Sequence, residues 1–227
     1  MDKKSLTLVV PVYNEEASLP EMIASINAST CCSILAVNDG STDESLKTLK
    51  GLQKRYKNLR IVSKRKNQGF GGAWKTGISS SSTPYIAFID GDLTYHPKYI
   101  PVLLHALKKY KLDCAWTSRF GDSVNNMPLL RKIGNRALVY TFFLATGKYI
   151  QDITSGQRVF RRTSLMKLDP ETLPDGLNLV SAVSKRVVSR KLKYMIIPCD
   201  YMERKGTSKL RLVRDFLKMV GDIFFER

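Results

Sequence analysis

Apolar residues along the chain arrive in short unbroken runs, separated by longer stretches in which they recur every three or four positions. The runs fall at residues 6–12, 34–37, 60–62, 85–89 and 114–117. A run without polar alternation has both of its faces covered, so each predicts a buried strand. Between them, residues 16–28, 44–56, 71–80 and 97–109 carry helix-compatible patterns, the last with Pro97 in its first turn. The alternation predicts an α/β fold with a mostly parallel sheet flanked by helices. In such sheets ligands bind beyond the carboxyl ends of the strands. Those ends carry Asn14-Glu15, Asp39-Gly40-Ser41, Asn67-Gln68-Gly69 and Asp90-Gly91-Asp92. Four polar clusters are thus expected on one edge.

After about Arg119 the rhythm changes. Residues 127–146 predict one long helix whose apolar centre, Leu138 to Leu144, is flanked by Arg131, Lys132, Arg136 and Lys148. A polar stretch, Asp152-Ile153-Thr154-Ser155-Gly156, precedes a short apolar pair, Val159-Phe160. A helix near 177–189 and a strand near 194–197 follow. The last segment, 210–225, places Leu210, Val213, Phe216, Leu217, Val220 and Phe224 on one helical face, with Arg211, Arg214 and Lys218 opposite. Such a helix either packs on the core or lies in a membrane interface, since one face is apolar and aromatic and the other basic.

Composition narrows the class. With 227 residues, 43% of them hydrophobic and 25% charged, the chain suits one globular domain with a substantial core. Its 37 Lys and Arg against 20 Asp and Glu leave a net charge of +17. That favours an anionic partner: a nucleotide, a polyphosphate, an anionic membrane surface or a nucleic acid. Cys31, Cys32, Cys114 and Cys199 lack zinc-ligand spacing and read as reduced thiols of a cytosolic protein. No stretch resembles a signal peptide or is apolar for long enough to span a bilayer.

The sharpest candidate chemistry lies at the end of the run 85–89, where Asp90 and Asp92 flank Gly91. Two carboxylates so spaced can share one hard cation, Mg²⁺ or Mn²⁺, and glycine lets a large ligand come close. The same three residues also make an ordinary turn.

Other motifs stand around this one in a fixed order. Pro11-Val12-Tyr13-Asn14-Glu15-Glu16 comes first, then Val37-Asn38-Asp39-Gly40-Ser41-Thr42-Asp43, then Asn67-Gln68-Gly69 with Gly71-Gly72-Ala73, then Asp90-Gly91-Asp92. The ordered set resembles the family 2 glycosyltransferases. Ser118-Arg119-Phe120, Asp152 to Arg158, and Glu203-Arg204-Lys205-Gly206-Thr207-Ser208-Lys209 are similar to the polyprenyl-phosphate branch, typified by dolichol-phosphate mannosyltransferase.

That resemblance implies a Rossmann-like fold of GT-A type forming a single domain. Residues 1–118 would be its nucleotide-sugar half, 119–209 its acceptor half and 210–227 an amphipathic C-terminal helix. It implies a nucleotide-sugar donor held by Pro11, Tyr13, Glu15, Val37, Asp39, Asp90, Gly91, Arg204 and Lys209. It places the metal on Asp90 and Asp92, with Thr94 where relatives carry a longer amide, and the acceptor phosphate on Arg119 and Arg131. Asp92, Arg119 and Arg204 are then the expected catalytic residues.

The expected reaction is inverting transfer of a sugar, from GDP-mannose or a UDP-hexose, to a polyprenyl or dolichyl phosphate at the cytoplasmic face of a membrane. A saccharide or protein acceptor is the alternative, although a hydroxyl needs a positioned carboxylate base and none stands out beyond Asp90 and Asp92. A nucleic-acid-binding module is disfavoured, because no recognised motif or aromatic interleaving accompanies the basic residues.

Overall fold

A computed structural model of the chain describes residues 5–120, 127–202 and 211–225. Seven strands form one sheet: β1 (Leu6–Val12), β2 (Ser33–Asp39), β3 (Leu59–Lys64), β4 (Tyr85–Phe88), β5 (Cys114–Ser118), β6 (Arg158–Arg161) and β7 (Tyr194–Pro198). Their order is β3-β2-β1-β4-β6-β5-β7, and β6 alone runs antiparallel to its neighbours. The helices are α1 (Leu19–Ser29), α2 (Ser45–Arg55), α3 (Phe70–Ser79), α4 (Tyr99–Lys109), α5 (Leu129–Thr146), α6 (Arg162–Met166), α7 (Leu179–Ser189) and α8 (Leu212–Phe225).

Every residue of β1 is buried, as its unbroken apolar run requires of a strand covered on both faces. Its even-numbered side chains, Leu6 to Val12, pack with Leu19, Met22, Ile23 and Ile26 of α1 and with Ile100, Leu103 and Leu107 of α4. Val9 points the other way, into a second core layer with Trp74 of α3, Phe142 of α5 and Val183 of α7. There Trp74 stacks on Phe88 with ring centroids 3.6 Å apart and planes within 6°. Helices thus cover both faces, as the pattern of runs predicts.

Three details depart from expectation. The helix expected from residue 16 begins at Leu19, because residues 15–18 turn instead, and Ser18 donates its hydroxyl to the Gly91 carbonyl at 2.7 Å. The pair Val159-Phe160 belongs to a four-residue strand inserted between β4 and β5. The third concerns α8, whose stripe is split. Met219 and Ile223 are buried, with Phe216 and Val220 packed against the same core, while Val213, Leu217 and Phe224 stay exposed. Leu210, the first residue of the expected stripe, lies outside the described residues. Among the described residues no helix is long and apolar enough to cross a membrane.

Candidate active site

A cavity of about 740 Å³ opens at the carboxyl ends of β1, β2 and β4. This is where ligands sit in open α/β sheets, because helices cover the faces and the strand ends leave a crevice. Pro11, Tyr13, Glu15, Asp39, Asn67, Gly69 and Asp90 to Asp92 line one side. The four polar clusters do meet at one edge.

Asp39 holds that edge together. Its carboxylate pairs with Lys64 at 3.0 Å and accepts the backbone N–H groups of Gln68 and Gly69. The loop after β3 is therefore tied to the end of β2. At the start of α3, Gly71 and Gly72 donate their N–H groups to the Asp175 carbonyl, at 2.7 and 3.2 Å. A Cβ at Gly71 would collide with the Pro174 and Asp175 backbone. The N–H groups of Gly71 and Gly72 are thus taken by the 174–176 segment, and Asn67, Gly69, Phe70 and Ala73 are the residues of this turn and helix start that line the cavity.

Asp92 is buried, and its Oδ1 accepts both the Thr94 N–H (3.0 Å) and the Thr94 hydroxyl (2.6 Å). Thr94 is itself buried and is not on the cavity wall; its polar groups orient Asp92. The Thr94 hydroxyl, expected at the metal, is engaged in this structure with the Asp92 carboxylate. Val37, expected beside the nucleotide, has its side chain fully buried in the second core layer. Arg204 and Lys209 lie outside the described residues.

The opposite wall is built by the chain after β5. Asp152 binds Arg119 in a fork, Nε to Oδ2 at 2.8 Å and Nη2 to Oδ1 at 2.9 Å, and Arg119 Nη2 also donates to Thr154 Oγ1 at 2.6 Å. Burial alone would raise the Asp152 carboxyl, but the guanidinium and the N–H groups of Arg119 and Thr154 outweigh it and hold it below its ordinary value. Burial likewise works against the charged Arg119, and the Asp152 carboxylate reverses that, leaving its pKa raised. Arg119 therefore enters the cavity as a rigid, compensated cation. Arg131 reaches the wall from α5, with Tyr201 as its hydroxyl partner at 3.4 Å. Leu130, Gly134 and Leu138 of α5 give the same wall its apolar part.

Gly156 packs against Asp90. Its N–H donates to the buried Tyr95 hydroxyl at 3.0 Å, and any Cβ at this position would fall inside the Asp90 carboxylate. The absence of a side chain leaves Asp90 room beside a second hard carboxylate, which suits a divalent cation. Among the described residues no group of three or more His, Cys, Asp or Glu forms a complete metal cage. Two carboxylates suffice where water and substrate phosphates supply the remaining oxygens, as is usual for Mg²⁺.

The sequence pattern missed several residues here. Tyr95 and Asn135 carry no signal of their own, while Asp152 and Thr154, quoted above only as part of a motif, hold Arg119 in place; Asn135 and Asn178 line the cavity. The signal for Asp152 and Thr154 was available in the polar stretch 152–157, which leads directly into a buried strand.

Residues 7–169 match the family described as Glycosyl transferase family 2. The chain belongs to this family. It is a glycosyltransferase, and it shares 27% identity with an uncharacterized protein of Methanocaldococcus jannaschii, over 99% of this chain and 95% of that one. A dodecaprenyl-phosphate galacturonate synthase of Rhizobium johnstonii is 28% identical over 98% of this chain and 67% of its own length. A UDP-N-acetylglucosamine–dolichyl-phosphate N-acetylglucosaminyltransferase of Methanococcus voltae is 27% identical over 75% of each. Among solved structures, glucosyl-3-phosphoglycerate synthase of Mycobacterium tuberculosis, in complex with Mn²⁺, UDP and phosphoglyceric acid, superposes with a TM-score of 0.75. It covers 97% of this chain and 77% of that one at 18% identity, and so establishes a GT-A-like fold for the glycosyltransferase described here.

Proposed function

We propose that this glycosyltransferase moves a sugar from a nucleotide sugar to a polyprenyl phosphate at the cytoplasmic face of a membrane, assisted by Mg²⁺ or Mn²⁺. The observation that carries this reading is the joining of two unlike walls in one cavity. Asp90 and Asp92 stand at the strand ends, and Arg131 stands with Leu130 and Leu138 on α5. A lipid phosphate needs both halves of the second wall, a cation for its head and apolar surface for its tail. The two relatives named for polyprenyl-phosphate and dolichyl-phosphate acceptors support the same reading.

Asp90 and Asp92 would hold the divalent cation, which supplies Lewis acidity toward the donor diphosphate. The protein's own part is placement. Asp39 shapes the loop that carries Asn67 and Gly69, Thr94 orients Asp92, and Tyr95 holds Gly156, which lies against Asp90. An oxygen of the acceptor phosphate forms the new bond to the anomeric carbon while the bond to the nucleoside diphosphate breaks, its electron pair leaving with the diphosphate. That oxygen is already ionised near neutral pH, so no strong general base is needed, and a single in-line displacement inverts the centre. The testing experiment is a donor screen with purified protein, Mn²⁺, a short polyprenyl phosphate and a panel of GDP- and UDP-sugars. Transfer to lipid phosphate with one donor is expected; transfer to free saccharides alone would refute the acceptor class.

The membrane part rests on exposed apolar residues. Leu129, Ile133, Tyr140 and Leu144 share the outer face of α5, opposite the buried Leu138 and Phe142, and Leu217 is exposed on the adjoining α8. Burying one such leucine is worth about 1.5–3 kcal/mol. The Leu144→Asp, Leu217→Asp variant should therefore lose at least about tenfold in vesicle co-sedimentation, with an unchanged melting curve. Equal binding by the variant would remove this face as the contact.

A further inference from the structure

The cationic side of α8 faces the cavity. Arg211, just before the helix, and Arg214 and Lys218 within it line the cavity that also holds Asp90 and Asp92, whereas the helix's exposed apolar residues Val213, Leu217 and Phe224 do not. All three basic residues are also exposed, so an anion entering the cavity from solvent can reach them. The helix is anchored so that these residues stay in place. Asp215 is buried and accepts the Arg211 N–H at 2.9 Å, Asn178 of the segment before α7 donates to Asp222 at 2.6 Å, and Lys185 donates to the Ile223 carbonyl at 2.8 Å. Beneath them Met219 and Ile223 are buried in the core.

We propose that Arg214 and Lys218, with Arg211 beside them and Arg131 of the adjoining α5 lining the same cavity, form a seat for the phosphate monoester head of the acceptor. This rests on the reading of the acceptor as a phosphate ester, and it adds a wall that the strand-end motifs do not contain. The chemistry follows from the placement. A dianionic head entering a cavity that already holds Asp90 and Asp92 meets repulsion from those carboxylates unless cations line its own side. Asp215 offsets only part of the row, since its carboxylate is directed at the Arg211 backbone and the Arg214 Nε. The Arg214 side chain remains 55% exposed, within reach of an entering anion. Two basic residues one helical turn apart present adjacent donors, which suits a tetrahedral phosphate.

The test uses the full chain saturated with UDP and Mn²⁺ in detergent, so that no bilayer contributes. Isothermal titration measures binding of farnesyl phosphate, inorganic phosphate and farnesol to the native protein, to Arg214→Gln, Lys218→Gln, and to the charge-keeping Arg214→Lys, Lys218→Arg. The first variant is expected to bind farnesyl phosphate at least about tenfold more weakly, with UDP affinity and farnesol binding unchanged. The second variant should retain most of the affinity, which excludes general damage to the helix. Matching weakening for inorganic phosphate would show that the seat accepts free phosphate as well as a lipid head. Unchanged farnesyl phosphate binding would overturn the proposal. So would loss of UDP instead, which would give the cations to the donor, or loss confined to co-sedimentation with phosphatidylglycerol vesicles, which would make them surface contacts. If the native protein glycosylates no polyprenyl phosphate yet the phosphate ester binding responds as described, the acceptor assignment fails while the seat stands.

Discussion

Replacing Asp92 by Asn should lower transfer by roughly 10²–10³-fold, the scale seen when one electrostatic contact to a developing charge is removed, and leave the fold intact. The substitution is nearly isosteric. Asn keeps a side-chain oxygen where Asp92 Oδ1 now accepts the Thr94 N–H and hydroxyl, so the turn after β4 loses none of its acceptor geometry. What disappears is the negative charge, and with it half of the carboxylate pair that would hold a divalent cation against the donor diphosphate. The loss should fall on kcat more than on farnesyl phosphate binding, because Asp92 stands at the strand ends while the cations proposed for the acceptor come from α5 and the α8 segment. Chelation of the native protein with excess EDTA should produce a comparable loss, restored by added Mn²⁺. Full turnover by Asp92→Asn, or by the native protein in excess chelator, would refute metal assistance.

The parts of the molecule legible in the sequence are those where one local pattern has one physical solution. The run from Leu6 to Val12 can only be buried on both sides, and it is. The strand-end polar clusters follow from it, because a parallel sheet places all its carboxyl ends together. β6 was harder to read, since an apolar pair of two residues says nothing about direction or position, and it inserts antiparallel between β4 and β5.

Side-chain roles were less legible still. Val37 belongs to a motif that resembles nucleotide-binding segments, yet strand alternation turns it into the core. Thr94 stands two positions after Asp92, a spacing that suits a hydrogen bond back to the carboxylate as well as it suits a shared metal. For α8 the periodicity correctly separates a basic side from an apolar one but cannot say what covers each. The core took Met219 and Ile223, the cavity took Arg214 and Lys218, and the remaining apolar edge stayed exposed. Only tertiary packing distinguishes these outcomes.

Arg158→Met should cost about 3–5 kcal/mol of stability, a large share of the 5–15 kcal/mol typical of a domain. Arg158 is fully buried, without a carboxylate in hydrogen-bond contact, and burial pushes its pKa down to about 10. It is held by carbonyls instead: Nε donates to Ser155 at 2.7 Å, and Nη2 donates to Ile153 at 2.8 Å, to Val180 at 3.2 Å and to the Ser184 hydroxyl at 3.0 Å. Its guanidinium also lies 5.0 Å from the Trp116 ring centroid, and Trp116 Nε1 donates to the Asp152 carbonyl. The residue thereby secures, from below, the loop that carries Asp152, Thr154 and Gly156. Methionine fills comparable volume but leaves the Ser155 carbonyl without this donor and the Ile153 and Val180 carbonyls with fewer, since the Ser184 hydroxyl still reaches both. In a dry interior an orphaned acceptor costs about 1–3 kcal/mol. Lysine restores the charge but not the planar fork, so Arg158→Lys should recover only part of the loss. Urea denaturation measures the stability change. Activity assayed well below the unfolding midpoint should fall as well, because a loosened loop no longer orients Asp152 toward Arg119. Native-like stability in Arg158→Met would mean that the carbonyls find other donors and that the loop does not depend on this guanidinium.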